Sequence, residues 1–157
     1  MDLIDIHPKE ARRLIPLLQG LHALHVAHQP ARYPAEPNDA TLAQWLENWL
    51  SNESLTARAA VSPQGSVMGY MIYGIEERPA IPVRTGETRA MLHHIAVADC
   101  WQRMGVGTAL IMDMKRAVAA KGINVIATTY APFNTASAAL MARMGLLPVM
   151  VTAELRS

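Results

Sequence analysis

The feature that most constrains the fold is a short apolar strand that runs into a glycine-bearing loop and then into a helix. The strand is expected to end at Val97, and the helix opens through the pattern Gln102-x-x-Gly105-x-Gly107. The first N–H groups of a helix have no partner inside it and carry the positive end of its dipole, so they attract phosphate. Glycines lack a Cβ atom and leave room for a bulky diphosphate. The pattern therefore predicts a diphosphate-binding turn, to which Gln102 adds uncharged amide donors.

Two better-known phosphate loops do not fit this stretch. The P-loop requires a lysine directly after its last glycine, and Thr108 stands there instead. The dinucleotide fingerprint requires a third glycine, and that position is Leu110. An ordinary strand-to-helix turn without a ligand is the alternative interpretation of the local pattern.

Length and composition limit the classes of protein to which the chain can belong. The chain has 157 residues, of which 51% are hydrophobic, and this favours one globular domain over 1–157. The formal net charge of +1 gives no argument for a nucleic-acid partner. Cys100 is the single cysteine, the first residues do not form a signal peptide, and no stretch approaches about 20 consecutive apolar residues. We therefore expect a cytoplasmic protein without a membrane partner.

The periodicity of apolar residues predicts the order β-α-α-β-β-β-α-β-α-β in a mixed sheet. The first helix should kink or restart near Ile15, because Pro16 does not fit inside a continuous helix. Asp39 is predicted to cap the second helix, and Asn134 to cap the last one. The predicted elements lie at 3–6, 8–28, 40–50, 55–61, 67–75, 91–97, 105–121, 123–130, 134–145 and 146–155.

The chain resembles the GNAT superfamily of acyl-CoA-dependent N-acetyltransferases. Three segments carry the resemblance together: the strand Leu92-His-His-Ile-Ala-Val97, the loop from Gln102 to Thr108, and the stretch from Asn134 to Gly145. The resemblance implies an α/β (α+β) fold with a mixed, mostly antiparallel sheet of about six to seven strands and about four flanking helices. A splayed parallel strand pair would lie at the centre of that sheet.

The resemblance also implies that acetyl-CoA is the co-substrate and that no metal takes part. The backbone of the loop would hold the pyrophosphate, and main-chain groups of Ile95 and Val97 would pair with the pantetheine arm as if it were a strand. The residues implied to contact the cofactor are Ile95, Ala96, Val97, Gln102, Arg103, Met104, Gly105, Val106, Gly107, Thr108 and Asn134.

Acetyl transfer to an amine requires a neutral nitrogen, and an amine of the lysine type titrates near pH ~10.4. A histidine is well suited to remove the proton, because an imidazole ordinarily titrates around pH ~6.5. His93 and His94 lie on the strand beside the expected thioester. Successive strand side chains point to opposite faces, so at most one of them should face the acceptor. By register within the family we predict His93 as the catalytic base; a structural histidine is the alternative.

Met141 departs from the resemblance in a way that matters for the reaction. Many members of the family carry a tyrosine there, proposed to protonate the leaving thiolate. A thioether cannot donate a proton. The alternatives are that Tyr130 donates this proton, that water donates it, or that the reaction needs no general acid.

Other residues give weaker signals. His22, His25 and His28 recur every three residues and suggest a metal site, but we expect them to line the acceptor pocket. Tyr33, Trp45 and Tyr73 could form its aromatic wall or simply pack.

The resulting hypothesis is the direct transfer of acetyl from acetyl-CoA to a primary amine of a small molecule or peptide in a ternary complex. A non-catalytic acyl-CoA-binding sensor or regulatory module is the alternative. A general nucleotide-binding protein, in which ATP or NAD would displace acetyl-CoA, ranks last. Because members of the family often dimerise, a homodimer is a further expectation.

Overall fold

One mixed sheet organises the chain in the computed structural model, which describes residues 1–35 and 37–157. Its strands are β1 (Asp2–Asp5), β2 (Leu55–Val61), β3 (Val67–Arg78), β4 (Glu87–Val97) and β5 (Ile126–Thr128), and they are adjacent in that order. The helices are α1 (Ile15–His28), α2 (Asp39–Leu50), α3 (Val106–Ala119) and α4 (Thr135–Arg143), with short 3-10 turns at Pro8–Leu14 and Asp99–Trp101. The predicted α/β class, with a mostly antiparallel sheet and four helices, is confirmed.

The entry into α1 follows from its prolines. The chain runs as a 3-10 turn up to Leu14, and α1 begins at Ile15 with Pro16 in its first turn, where a missing N–H costs nothing. The predicted restart is thus confirmed. The predicted cap of α2 is wrong by one residue, since the Asn38 side chain accepts the Thr41 N–H at 2.7 Å. Asp39 instead accepts a hydrogen bond from Gln19.

Alternation along β3 divides the core into two layers. Tyr70 and Ile72 point to the face covered by α1 and α2, whereas Met71 points to the face covered by α3. All three side chains are fully buried. The sheet is therefore covered on both faces, and ligand sites are confined to its ends and to gaps between strands.

A β-bulge interrupts β4 in its middle. Ile72 of β3 pairs with His94, but the next residue, Tyr73, pairs with Leu92, so His93 is the extra residue on β4. A bulge of this kind bends the strand and redirects its side chains, and such bulges are frequent beside active sites.

The parallel pair of β4 and β5 separates just beyond this bulge. The two strands pair only from Ala90–Ile126 to Leu92–Thr128. From His94 to Val97, β4 still pairs with β3 on its other side. One edge of β4 is therefore open along the segment that the sequence predicts to hold pantetheine.

Two details of the predicted sheet are wrong. The described residues form five strands rather than six or seven, and the parallel pair lies at one end of the sheet instead of its centre. The predicted strand at 123–130 is reduced to β5, and residues 146–155 lie in no strand. A strand needs a hydrogen-bonded neighbour, and among the described residues the C-terminal segment pairs with no strand. Within the described residues, no helix combines the length and apolar character needed to cross a membrane.

Candidate active site

The loop between β4 and α3 ends in a left-handed residue that starts the helix. Gly105 has φ +81° and caps α3, and Ala109 donates the first helical hydrogen bond to its carbonyl at 2.9 Å. The N–H groups of Val106, Gly107 and Thr108 precede that bond and have no helical partner. A Cβ on Gly105 would meet no atom within 4 Å, so the space beside these amides is open. The helix end thus has the geometry of an anion site.

Gln102 and Gly107 have roles that differ from those inferred from the sequence. The Gln102 side-chain amide donates to the Val97 carbonyl at 3.3 Å and to the Asp99 carboxylate at 3.1 Å, so it ties the loop together. A Cβ on Gly107 would lie 2.9 Å from the Leu140 side chain. Gly107 therefore permits close packing of α3 on α4. Of these two glycines, only Gly105 has a backbone conformation that favours glycine.

A cavity of about 930 Å³ extends from this helix end along the open edge of β4. Ten of the eleven predicted cofactor residues line it: Ile95, Ala96, Val97, Gln102, Arg103, Gly105, Val106, Gly107, Thr108 and Asn134. The eleventh, Met104, is not part of the lining and is 62% exposed. Arg143 also lines the cavity, so the lining contains two arginines, Arg103 and Arg143. No feature of the sequence pointed to Arg143, because a basic residue in the last turn of a helix is ordinary.

A second cavity, of about 590 Å³, adjoins the first. Both are lined by Leu21, Ile95, Asn134 and Ser137. Asn134 is buried at this junction, and its side-chain oxygen accepts the Ser137 N–H at 3.1 Å, which caps α4 as predicted. A group carried along β4 from the first cavity would reach the second one at this junction.

Both strand histidines line the second cavity. The expectation that at most one could face it is wrong, because the bulge at His93 breaks the regular alternation of β4. His93 is exposed, and its ring lies edge-on to Trp49 at 5.5 Å. His94 is more deeply placed, 5.1 Å from the same indole.

The environment of His94 makes it a weak base. Burial, with smaller contributions from His93 and His25, lowers the pKa of His94 to about 4. His94 is therefore neutral at pH 7. The Tyr70 hydroxyl lies 3.4 Å from its Nδ1 atom, and burial raises the pKa of that hydroxyl. His94 and Tyr70 thus form an uncharged pair behind His93.

The remaining candidates separate into cavity and packing residues. The second cavity is lined by His22, His25, Tyr33, Trp45, Tyr130 and Met141. His28 instead stacks on Phe133 at 4.4 Å, and Tyr73 is buried in the core under α3. Cys100 is exposed in the loop. Among the described residues no group of three His, Cys, Asp or Glu side chains could hold a metal ion.

Comparisons with solved structures agree with this architecture. A tetramutant of the BH1408 protein from Bacillus halodurans is 16% identical, with a TM-score of 0.91 over 100% of both chains. A ribosomal-protein-alanine N-acetyltransferase from Brucella melitensis biovar Abortus 2308 is 18% identical, with a TM-score of 0.75 over 100% of both chains. AAC(6')-Iy, in complex with the bisubstrate analogue CoA-S-monomethyl-acetylneamine, is 21% identical, with a TM-score of 0.73 over 99% of this chain and 97% of that one.

The sequence comparisons identify the family. No curated protein matches the chain significantly. The model of the acetyltransferase (GNAT) family, however, matches residues 18–146, which include most of α1, the whole of β4, the loop and α4. The chain therefore belongs to the GNAT family of acetyltransferases.

Proposed function

We propose that this protein transfers an acetyl group from acetyl-CoA to the primary amine of a small molecule with an uncharged, largely apolar body. The observation that carries the proposal is the junction of the two cavities at Ile95 and Asn134. One cavity begins at a helix N-terminus suited to phosphate, and the other contains an exposed histidine. A thioester held at the junction would lie between the cavity that binds the coenzyme and the cavity that binds the acceptor.

The first cavity fits the coenzyme by its chemistry. The free amides that begin α3, together with Arg103 and Arg143, can donate hydrogen bonds to the negatively charged oxygens of the pyrophosphate. The open edge of β4 offers backbone groups to the amide-bearing pantetheine arm, in the manner of an added strand. Both features line the same cavity, which supports a ligand that combines an anionic group with an amide-bearing arm.

The second cavity favours a monoamine. Its described lining contains imidazole, aromatic and aliphatic side chains, together with the neutral polar residues Thr128, Thr129, Asn134 and Ser137. Among these described residues there is no Asp, Glu, Lys or Arg. Among the described lining residues, a polycationic acceptor would find no carboxylate to replace the water that it loses. A volume of about 590 Å³ suits a small molecule rather than a folded peptide segment.

In the proposed reaction the amine nitrogen attacks the carbonyl carbon of the thioester, a C–N bond forms and the C–S bond breaks. His93 takes the proton that the nitrogen loses, directly or through water. The thiolate of coenzyme A takes a proton from Tyr130 or from solvent, since Met141 has none to give. Neutral His94 adds no positive charge to the acceptor side, so it does not repel an amine that enters in its protonated form.

A thiol-release assay across a panel of amines tests this proposal. With acetyl-CoA saturating, we expect aryl- or alkyl-monoamines to show kcat/KM at least about tenfold above that of polycationic aminoglycosides, because one lost charge contact is worth about 1.5–3 kcal/mol. Peptides with a free N-terminus serve as the third class. Equal rates for monoamines and polycations would contradict the proposed acceptor class.

A non-catalytic acyl-CoA-binding module is the second candidate, and Met141 is the observation that favours it. This thioether is buried and lines the acceptor cavity at the position where many family members carry a tyrosine. Binding of acetyl-CoA without thiol release for any amine of the panel would favour the module over the enzyme.

A further inference from the structure

The ring of His94 is held from behind by a buried hydroxyl group. Ile72 of β3 pairs with His94, and Tyr70 lies two residues before Ile72 on the same face of that strand. Tyr70 is 0% exposed, and its hydroxyl oxygen lies 3.4 Å from His94 Nδ1. Among the described residues, this ring nitrogen is the only hydrogen-bond partner of that hydroxyl.

This contact decides which nitrogen of His94 carries a proton. A neutral imidazole has a single N–H, and His94 is neutral at pH 7. If that proton were on Nδ1, the Tyr70 O–H would be buried without an acceptor, and a buried donor without a partner is strongly unfavourable. The Tyr70 hydroxyl therefore donates to Nδ1, and the proton of His94 is on Nε2.

The Nε2 atom of His94 faces the acceptor cavity. It makes no hydrogen bond to a described residue, yet no enclosed side-chain nitrogen or oxygen in the described chain lacks a partner. Solvent therefore reaches Nε2, and the open space that His94 borders is the second cavity. Trp49 and Trp45 flank the ring at centroid distances of 5.1 and 6.3 Å, but an indole nitrogen only donates. The cavity thus contains an N–H whose partner must come from a ligand.

Two other histidines of the same cavity differ from His94 in this respect. His22 Nε2 lies 2.6 Å from the Pro34 carbonyl oxygen, and His25 Nδ1 lies 2.8 Å from the Leu21 carbonyl oxygen. A carbonyl oxygen only accepts, so both rings donate an N–H to the backbone. In their neutral form these rings retain a lone pair on the other nitrogen, whereas His94 retains an N–H.

We propose that His94 determines acceptor specificity by donating its Nε2–H to an uncharged oxygen of the amine substrate, in an ether, hydroxyl or carbonyl group. The inference rests on the proposed function and narrows its substrate class to monoamines that carry such an oxygen on an otherwise apolar body. A substrate without the oxygen would displace water from Nε2 and leave the N–H unpaired in the complex. Sites that contain such a donor discriminate strongly against the analogue that cannot pair with it.

Matched pairs of benzylamines test this specificity. A methoxy and an ethyl substituent have nearly the same size, but only the methoxy oxygen accepts a hydrogen bond. With ortho, meta and para pairs, we expect kcat/KM to favour the methoxy amine by about tenfold for at least one ring position. The ratio should fall to about one in His94→Leu and persist in His94→Gln, whose amide still donates. No preference in the unsubstituted protein, or a preference that His94→Leu retains, would overturn the proposal.

Nitrogen NMR of the isotopically labelled imidazole rings tests the proton position without any turnover. At pH 7 we expect His94 to be protonated on Nε2 in the unliganded protein, and to become a mixture of both forms in Tyr70→Phe. Tyr73→Phe is the matched control, because Tyr73 is buried under α3 on the other face of the sheet.

The two experiments separate the possible failures. A proton on Nδ1 of the unsubstituted protein would overturn this proposal even if the protein acetylates amines. Absence of thiol release from every amine, with the proton on Nε2, would instead reject the proposed function and with it the substrate class.

Discussion

Gly105→Val is expected to weaken the binding of coenzyme A by about a hundredfold or more. Gly105 has φ +81°, a conformation that a β-branched residue cannot adopt without strain. The substitution should therefore displace the first turn of α3, and with it the amides of Val106 and Gly107. Two hydrogen bonds to a charged phosphate, at about 1.5–3 kcal/mol each, account for a loss of this size. Titration calorimetry with coenzyme A measures the affinity.

Gly65→Val is the matched control. Gly65 has φ +86° in the turn between β2 and β3, and no atom lies within 4 Å of its missing Cβ. The two variants therefore introduce the same backbone strain in equally open surroundings, and thermal unfolding should show similar losses of stability. Only Gly105→Val should lose affinity. Equal affinities for both variants would show that the start of α3 does not hold the coenzyme.

The second large effect is expected for His93→Ala, which should lower kcat by about a hundredfold to a thousandfold near pH 7. The KM for acetyl-CoA should change little, because His93 lines the acceptor cavity and not the larger one. The deficit should narrow as the pH approaches about 10, since the acceptor amine then deprotonates without help. The pH dependence of kcat, measured by thiol release, checks this expectation.

Two further histidines serve as controls for His93. His28 stacks on Phe133 outside the lining of the acceptor cavity, so His28→Ala should retain the wild-type pH profile. His94→Asn removes the neighbouring imidazole, whose lowered pKa makes it a poor base, and should cost less than His93→Ala. A pH profile that His93→Ala leaves unchanged would remove His93 from the mechanism and leave it a structural role.

Local patterns in the sequence predict those parts of the site that depend on neighbouring residues along the chain. The restart of α1 at Ile15, just before Pro16, and the cap of α4 by Asn134 each follow from the chemistry of one residue and its position. The start of α3 also follows from Gly105. Gly107, in contrast, is explained by the close packing of α3 against Leu140. Contacts between helices that are distant in sequence leave no such local signal.

Features that depend on pairing between strands could not be read from the sequence. The bulge at His93 is a property of the register between β3 and β4, and it places both histidines in one cavity, against the rule of alternation. The strand expected at 146–155 has the right composition, but composition does not say which edge it will meet. Arg143 reaches the larger cavity only because α4 packs beside α3.

The most direct measurement of the central claim compares acetyl-CoA with acetyl-pantetheine by titration calorimetry of the unsubstituted protein. Acetyl-pantetheine shares the thioester and the arm that would lie along β4, but it lacks the pyrophosphate. If the free amides of α3 hold that group, acetyl-CoA should bind with 1:1 stoichiometry and at least about a hundredfold more tightly. Equal affinities, or no heat from either ligand, would contradict the account.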